Sequence, residues 1–188
     1  IDPAEFDHFL MFAFENEPRL MPHIHLSVQH GDDVILKRMK RRHLARDVIR
    51  LCGEMRRRRP DTVFGADLIA GFPTETESAH EATIRLIEEA DLAHLHVFSY
   101  SDREGTPAAK MPKTKPSDIK RRALALREMG RKQLDKLVSL RVNKYDELLL
   151  EKSNQGYLRN FIRVKLAHDK LLPSGSILPV KILHSQSQ

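Results

Sequence analysis

Residues 63–77, V-F-G-A-D-L-I-A-G-F-P-T-E-T-E, constrain the fold of this chain more than any other stretch. The mostly apolar run 63–70 ends at Gly71, Phe72 and Pro73, and a helix signal follows. An apolar run of that length, bounded by Gly and Pro, suits a strand covered on both faces. Asp67 interrupts it, and a carboxylate inside such a run must find a donor or a ligand. Two capping boxes are candidates for the helix start, Ser78 with Glu81 and Thr74 with Glu77. Strand, Gly-containing turn and capped helix make one βα unit, and the chain repeats it up to about residue 110.

Upstream, residues 3–16 read as a helix with an apolar stripe of Phe6, Phe9, Leu10, Ala13 and Phe14. Pro18 and Pro22 break the chain, and residues 23–29 alternate as a strand with Ile24, Leu26 and Val28 on one face. A turn cluster leads into a short helix over 34–40. A longer helix over 44–58 has Leu44, Val48, Leu51, Cys52 and Met55 as its seam. Downstream lie a helix over 79–90 that buries Ala82, Leu86, Ile87 and Ala90, and a strand over 92–98. A Gly-, Pro- and Lys-rich loop over 102–116 precedes a long basic helix over 117–141, packed through Leu126, Leu134 and Leu137. This alternation implies an α/β fold with a parallel sheet and right-handed crossovers. The tail differs: β-like runs at 145–150, 157–165 and 177–183, with turn signals at 153–156 and 173–175, suggest a small antiparallel barrel or sheet. The boundary falls near residue 141, giving domains 1–141 and 142–188.

At 40% hydrophobic and 31% charged, the 188 residues can bury a core and are globular rather than disordered. No apolar run reaches the length of a membrane span and no signal-peptide pattern opens the chain, so a cytoplasmic protein with no membrane partner is expected. A net charge of +6 points to a polyanionic partner, nucleic acid first, or to an ordinary basic surface. The single cysteine, Cys52, excludes an internal disulfide and a Cys-rich metal site. The chain starts at Ile1 inside a helix signal, with Asp2 as cap, Pro3 at the first position and Glu5 in the first turn, so a preceding segment is expected.

Ligands of parallel α/β sheets bind at the carboxyl ends of the strands. Those ends carry Gln29-His30-Gly31-Asp32, Gly71-Phe72-Pro73 and Ser99-Tyr100-Ser101, which suit a small ligand lying across them or serve as plain βα loops. Asp67 either faces a barrel interior, where it accepts a ligand's hydroxyl or amino group, or is a structural carboxylate paired with histidine or arginine. His23, His25, His94 and His96 form two His-x-His pairs, but without a third ligand nearby in sequence metal binding is set aside. Two basic runs, Lys37, Arg38, Lys40, Arg41, Arg42 and His43, then 56–59, join Arg121, Arg122, Arg127, Arg131 and Lys132 as a phosphate-binding surface or as solvated helix faces.

Three long motifs, H-L-S-V-Q-H-G-D-D-V-I-L-K-R-M-K-R-R-H (25–43), G-A-D-L-I-A-G-F-P-T-E-T-E (65–77) and H-L-H-V-F-S-Y-S-D-R-E-G-T-P-A-A-K-M-P (94–112), resemble the radical-SAM methylthiotransferases. Within them the resemblance is to the MtaB type, which modifies threonylcarbamoyladenosine beside the tRNA anticodon; the MiaB-type and ribosomal-protein enzymes share a looser version. N-Q-G-Y-L-R-N-F-I-R-V-K-L and G-S-I-L-P-V-K-I resemble the RNA-binding TRAM domain. The resemblance runs from residue 1 to about 183 and implies the carboxyl half of a radical-SAM (β/α) partial barrel followed by a small all-β TRAM-like domain. It implies sulfur insertion at a C–H bond followed by methylation, with two S-adenosylmethionine molecules and two [4Fe–4S] clusters. Thiolate ligands for those clusters are lacking here, since Cys52 sits on an apolar helix seam, so the chain alone is expected to be inactive.

By family position, Gln29 and Asp67 contact S-adenosylmethionine, while Gly71, Phe72, Pro73, Ser99 and Ser101 shape its pocket. Lys37, Arg38, Lys40, Arg41, Arg42, Arg103, Arg159, Arg163 and Lys165 meet tRNA, and the missing amino-terminal half is the other partner. Departures are His30, a bulky ring at the cofactor mouth where Ser is usual, and Ser99 and Asp102 where prolines stiffen the loop. The start of the TRAM segment, 142–146, also reads as short. The competing reading is an RNA-binding remnant or split-gene subunit without catalysis. A third, an unrelated barrel enzyme for a phosphorylated metabolite, needs a Gly-rich phosphate loop for which only Gly71 and Gly105 are candidates.

Overall fold

Alternation of Ile24, Leu26 and Val28 with polar residues produces β1 (His23–Gln29), with the three apolar side chains buried on one face. It pairs in parallel with β2 (Val63–Ala70), which pairs in parallel with β3 (Leu92–Ser99), in the order β1-β2-β3. The computed structural model describes residues 1–152, 154–167 and 172–183. Ser153 of the predicted turn and residues 168–171 and 184–188 of the predicted second domain lie outside the described residues.

Helices α1 (His8–Asn16), α2 (Asp33–Arg38), α3 (Ala45–Arg58), α4 (Glu77–Glu89) and α5 (Pro116–Ser139) complete the first unit. The main core joins Ile24, Leu26 and Val28 to Phe64, Ala66 and Leu68 of β2, Val48, Cys52 and Met55 of α3, Leu86 and Ile87 of α4, and Leu126 of α5. Each Val, Leu, Ile, Phe or Met side chain among them adds roughly 1.5–3 kcal/mol by leaving water. Helices therefore cover one face of the sheet. This corrects the expectation that β2 is covered on both faces: Val63 and Gly65 are buried at its start, but Asp67 and Ile69 are only half-buried further along.

The predicted helix over 3–16 is two pieces, a 3-10 turn at Pro3–Glu5 and then α1. The Asp7 carboxylate accepts the Leu10 N–H at 2.9 Å and restarts the helix, which turns Phe9 to solvent while Phe6 and Phe14 meet edge to face. Neither predicted capping box starts α4. Thr76 does so, accepting the Ala79 N–H at 3.2 Å, because Thr74 is held in the left-handed region at φ 69°. In α5, Gln133 is buried in place of Leu134, and Leu137 and Val138 pack under the second sheet. Among the described residues no helix is long and apolar enough to cross a membrane.

The second sheet is antiparallel, with β4 (Tyr145–Lys152), β5 (Gln155–Leu158), β6 (Arg163–Lys165) and β7 (Ile177–Lys181) in the order β6-β5-β4-β7. The predicted continuous run 157–165 is a hairpin. Its chain reverses where the Leu158 N–H reaches the Ile162 carbonyl at 2.9 Å and Phe161 takes φ 64°. Leu148, Leu150, Leu158, Ile162 and Ile182 form this sheet's core.

Burial pushes the Cys52 thiol up to about 12, as expected for a core side chain. A thiol reagent is therefore expected to leave Cys52 unmodified in the native chain and to label it completely in denaturant. Rapid native labelling at neutral pH would contradict its place in the core.

Candidate functional site

The carboxyl ends of β1 and β2 are tied to α5 by one buried carboxylate. Gly71 ends β2 at φ 81°, and a Cβ there would stand 2.4 Å from Cγ1 of Ile119, so both backbone and space require glycine. The Gly71 N–H donates to Glu75, whose side chain is only 1% exposed. The same carboxylate accepts from His30 Nε2 at 3.2 Å and pairs with the Arg122 guanidinium at 3.3 Å. Arg122 also donates to the Glu75 carbonyl at 2.9 Å and meets Glu77 at 3.1 Å. The Asp32 N–H donates to His30 Nδ1 at 3.0 Å, which leaves the ring proton on Nε2, facing Glu75. His30 is thus fully buried behind the strand ends, correcting the expectation of a bulky ring at the cofactor mouth. Gly31 lets this loop approach α4: its N–H donates to Thr83 Oγ1 at 3.0 Å.

Among the predicted pocket residues, Gln29 closes β1 at φ 72° and Ser99 closes β3, level with Ala70 of β2. Ser99 and Ser101 are exposed. The Phe72 ring instead packs edge to face on Tyr100, 5.4 Å between centroids, in a satellite core with Ile35 and Ala79; Pro73 is also buried. This turn therefore meets the strand ends with its backbone. Asp102, expected to loosen the following loop, accepts from the Tyr100 hydroxyl at 3.0 Å and pairs with Lys113, which ties the loop down without proline.

Asp67 lies on the face of the sheet opposite the helices. One of its oxygens is 3.0 Å from His25 Nε2 and 3.3 Å from His96 Nδ1, so it is both on the open face and partnered by histidine. Nearer the amino ends of the strands the same face is covered by the 159–162 turn. Phe161 packs on His23 at 4.6 Å between rings, and His94 Nε2 donates to the Asn160 carbonyl at 3.1 Å. Burial, reinforced by the His94, His25 and His96 rings, pushes His23 down to about 4. Burial likewise lowers His94.

The basic residues divide. Lys37, Arg38, Lys40, Arg42, Arg103, Arg159, Arg163 and Lys165 are exposed, Arg41 is half-buried, and the four from 37 to 41 lie together around the end of α2. Arg41 pairs with Asp2 at 3.1 Å, Arg42 with Glu5 at 2.7 Å and Arg159 with Asp146 at 3.0 Å. Most of the second predicted cluster is structural. Arg56 donates to the Ala90 and Asp91 carbonyls at 2.9 and 2.8 Å, and Arg59 to those of Phe14 and Leu20, both at 2.8 Å. Arg127 reaches the Val97 carbonyl at 3.0 Å, and Arg122 is buried. Glu75, the residue these loops share, went unmarked in the sequence; its one signal is a carboxylate four positions after the turn glycine.

A parallel βαβ sheet with helices on one face is an α/β fold, and coproporphyrinogen III oxidase (HemN) from Escherichia coli shares it. The TM-score is 0.57 at 20% identity, over 72% of this chain and 31% of that one. Residues 12–87 match the family model described as "Radical SAM superfamily". The threonylcarbamoyladenosine tRNA methylthiotransferase MtaB of Rickettsia prowazekii (strain Madrid E) is 49% identical over 183 residues, 97% of this chain and 43% of that protein. The tRNA-2-methylthio-N(6)-dimethylallyladenosine synthase of Roseobacter denitrificans (strain ATCC 33942 / OCh 114) is 33% identical over 98% of this chain and 43% of its own length. Residues 12–87 thus carry the radical SAM pattern, and nearly the whole chain is similar to these methylthiotransferases while spanning less than half the length of either relative.

Replacing Glu75 by Gln is expected to destabilise the chain by about 3 kcal/mol, because buried Arg122 keeps only the half-exposed Glu77 carboxylate as counter-charge. Urea denaturation checks this, and adding Arg122→Met to the same chain should cost less than the two single changes summed. Strict additivity would mean that the two side chains are not coupled.

Proposed function

We propose that this chain is the part of a tRNA methylthiotransferase that supplies one wall of the S-adenosylmethionine pocket and a grip on tRNA. The observation that carries the reading is the 49% identity over 97% of the chain to a protein named as a threonylcarbamoyladenosine tRNA methylthiotransferase. On this reading the cofactor lies across the strand ends. Gln29 and the exposed hydroxyls of Ser99 and Ser101 offer it hydrogen bonds, and Asp67 accepts from a hydroxyl or amino group. The Gly71–Pro73 backbone, held by Glu75, sets the floor. When bound, S-adenosylmethionine supplies a methyl group and the precursor of a carbon radical.

The chain's own residues do not fit a [4Fe–4S] cluster. Clusters take several thiolates, and the one cysteine is buried in α3 with its thiol pushed up to about 12. No electron-transfer step is therefore assigned to these residues, and cluster ligands belong to a partner portion of the enzyme. Residues 142–188 are read as a TRAM-like RNA-binding domain after a boundary near 141. In it Arg159, Arg163 and Lys165 face the same polyanion as Lys37, Arg38, Lys40, Arg41, Arg42 and Arg103. A tRNA substrate places the protein in the cytoplasm.

Affinity of the chain for tRNA is expected to fall steeply with salt, with a log–log slope of roughly 0.7–0.9 per phosphate neutralised. Lys37→Ala and Lys40→Ala should each lower that slope, whereas Arg56→Ala should not, since its guanidinium is bound to backbone carbonyls. Affinity that stays flat between low and moderate salt would overturn the RNA assignment. Calorimetry with S-adenosylmethionine should show weak or no binding to this chain by itself; tight binding would overturn the need for the cluster-bearing part.

A further inference from the structure

We propose that His25, Asp67 and His96 form a binding site for one divalent first-row transition-metal ion, of zinc or iron(II) type. The inference goes beyond the cofactor reading and rests on the open face of the sheet alone. Each strand of the parallel sheet contributes one ligand. The donor atoms, His25 Nε2, an Asp67 carboxylate oxygen and His96 Nδ1, lie within 4.8 Å of one another, and the two nitrogens stand 3.0 and 3.3 Å from one carboxylate oxygen. Donor atoms around a tetrahedral ion with bonds of about 2.0–2.1 Å are roughly 3.3 Å apart, so the trio already has nearly the spacing of a coordination shell. Two imidazole nitrogens and one carboxylate oxygen suit borderline divalent ions and leave coordination positions open.

Strand register builds this arrangement. Asp67 and His96 are direct partners across β2 and β3, and His25 is the partner of Gly65 across β1 and β2. A Cβ at Gly65 would stand 2.5 Å from His25 Nδ1, so the glycine provides the room in which the His25 ring lies, with Nε2 at the Asp67 carboxylate two residues on. The His25 and His96 rings lie 4.6 Å apart at 35°, which brings their nitrogens to the same carboxylate. The Asn160–Phe161 turn touches His94 and His23, while the Asp67 and His96 side chains are 29% and 64% exposed, so an ion enters from solvent. Sequence reasoning set the histidines aside for want of a third ligand; the neighbouring strand supplies it.

The test is titration of the tag-free chain with Zn2+ by calorimetry and with Co2+ by its visible absorption, in the absence of S-adenosylmethionine. One equivalent is expected to bind, and to raise the unfolding temperature of the native chain. Asp67→Asn and His96→Gln should each weaken binding by more than the roughly 10- to 100-fold that loss of a merely supporting group costs a metal site. Both should also abolish the Zn2+-dependent thermal shift, with circular dichroism confirming that each variant is folded. His94→Gln, on the same face but outside the trio, should bind as the native chain does. Absence of binding to the native chain, or binding that survives both ligand variants, would overturn the proposal and leave the trio a carboxylate hydrogen-bonded by two imidazoles.

Discussion

A buried charge must be paired or it destabilises what surrounds it by several kcal/mol, and in this chain that requirement organises the edge where ligands of the fold bind. Glu75 has no water to turn to. It takes the Gly71 N–H, the His30 ring and the Arg122 guanidinium, which belong to the end of β2, the end of β1 and α5. Two strand ends and a helix are thereby referred to one point. The left-handed conformation of Gly71 and its contact with Ile119 follow from the same closeness, since α5 packs directly on the turn.

The two faces of the parallel sheet have different chemistry because alternation along each strand sends unlike residues to opposite sides. One side is apolar and covered by helices. The other carries His23, His25, Gln29, Gly65, Asp67, His94 and His96. Its lower part is covered by the β5–β6 turn, whose Phe161 and Asn160 meet His23 and His94. The second sheet thus covers one end of the polar face and leaves the Asp67 level accessible, and the neutral, buried character of His23 follows from that cover.

Positive charge in this chain serves two purposes that composition cannot separate. Guanidinium groups present several donors in a fixed plane, so Arg56, Arg59, Arg122 and Arg127 bind carbonyls where helices and strands end. Much of the net +6 is therefore no measure of affinity for a polyanion. Around the end of α2, by contrast, Lys37, Arg38 and Lys40 stand exposed on the surface.

Local pattern determined a good deal. Strand β1 and the seam of α3 were legible from alternation and helical period, which report directly which side of an element is dry, and β2 from its apolar run ending at Gly71 and Pro73. The 25–43, 65–77 and 94–112 motifs were legible as a family resemblance. The turn that ends β2 was legible, since Gly71 stands where the chain must turn. The 157–165 run hid its hairpin because Phe161, which is no turn signal, takes φ 64° there, and the apolar run of β2 did not reveal which of its faces is open because that depends on residues distant in sequence. Glu75 as a hub and the meeting of His25, Asp67 and His96 were invisible for the same reason. Apart from Gly71, four positions from Glu75, their partners are 29 to 47 positions away, joined by parallel register and helix packing. Periodicity fixes the side of a strand on which a residue points; only tertiary structure decides what stands opposite it.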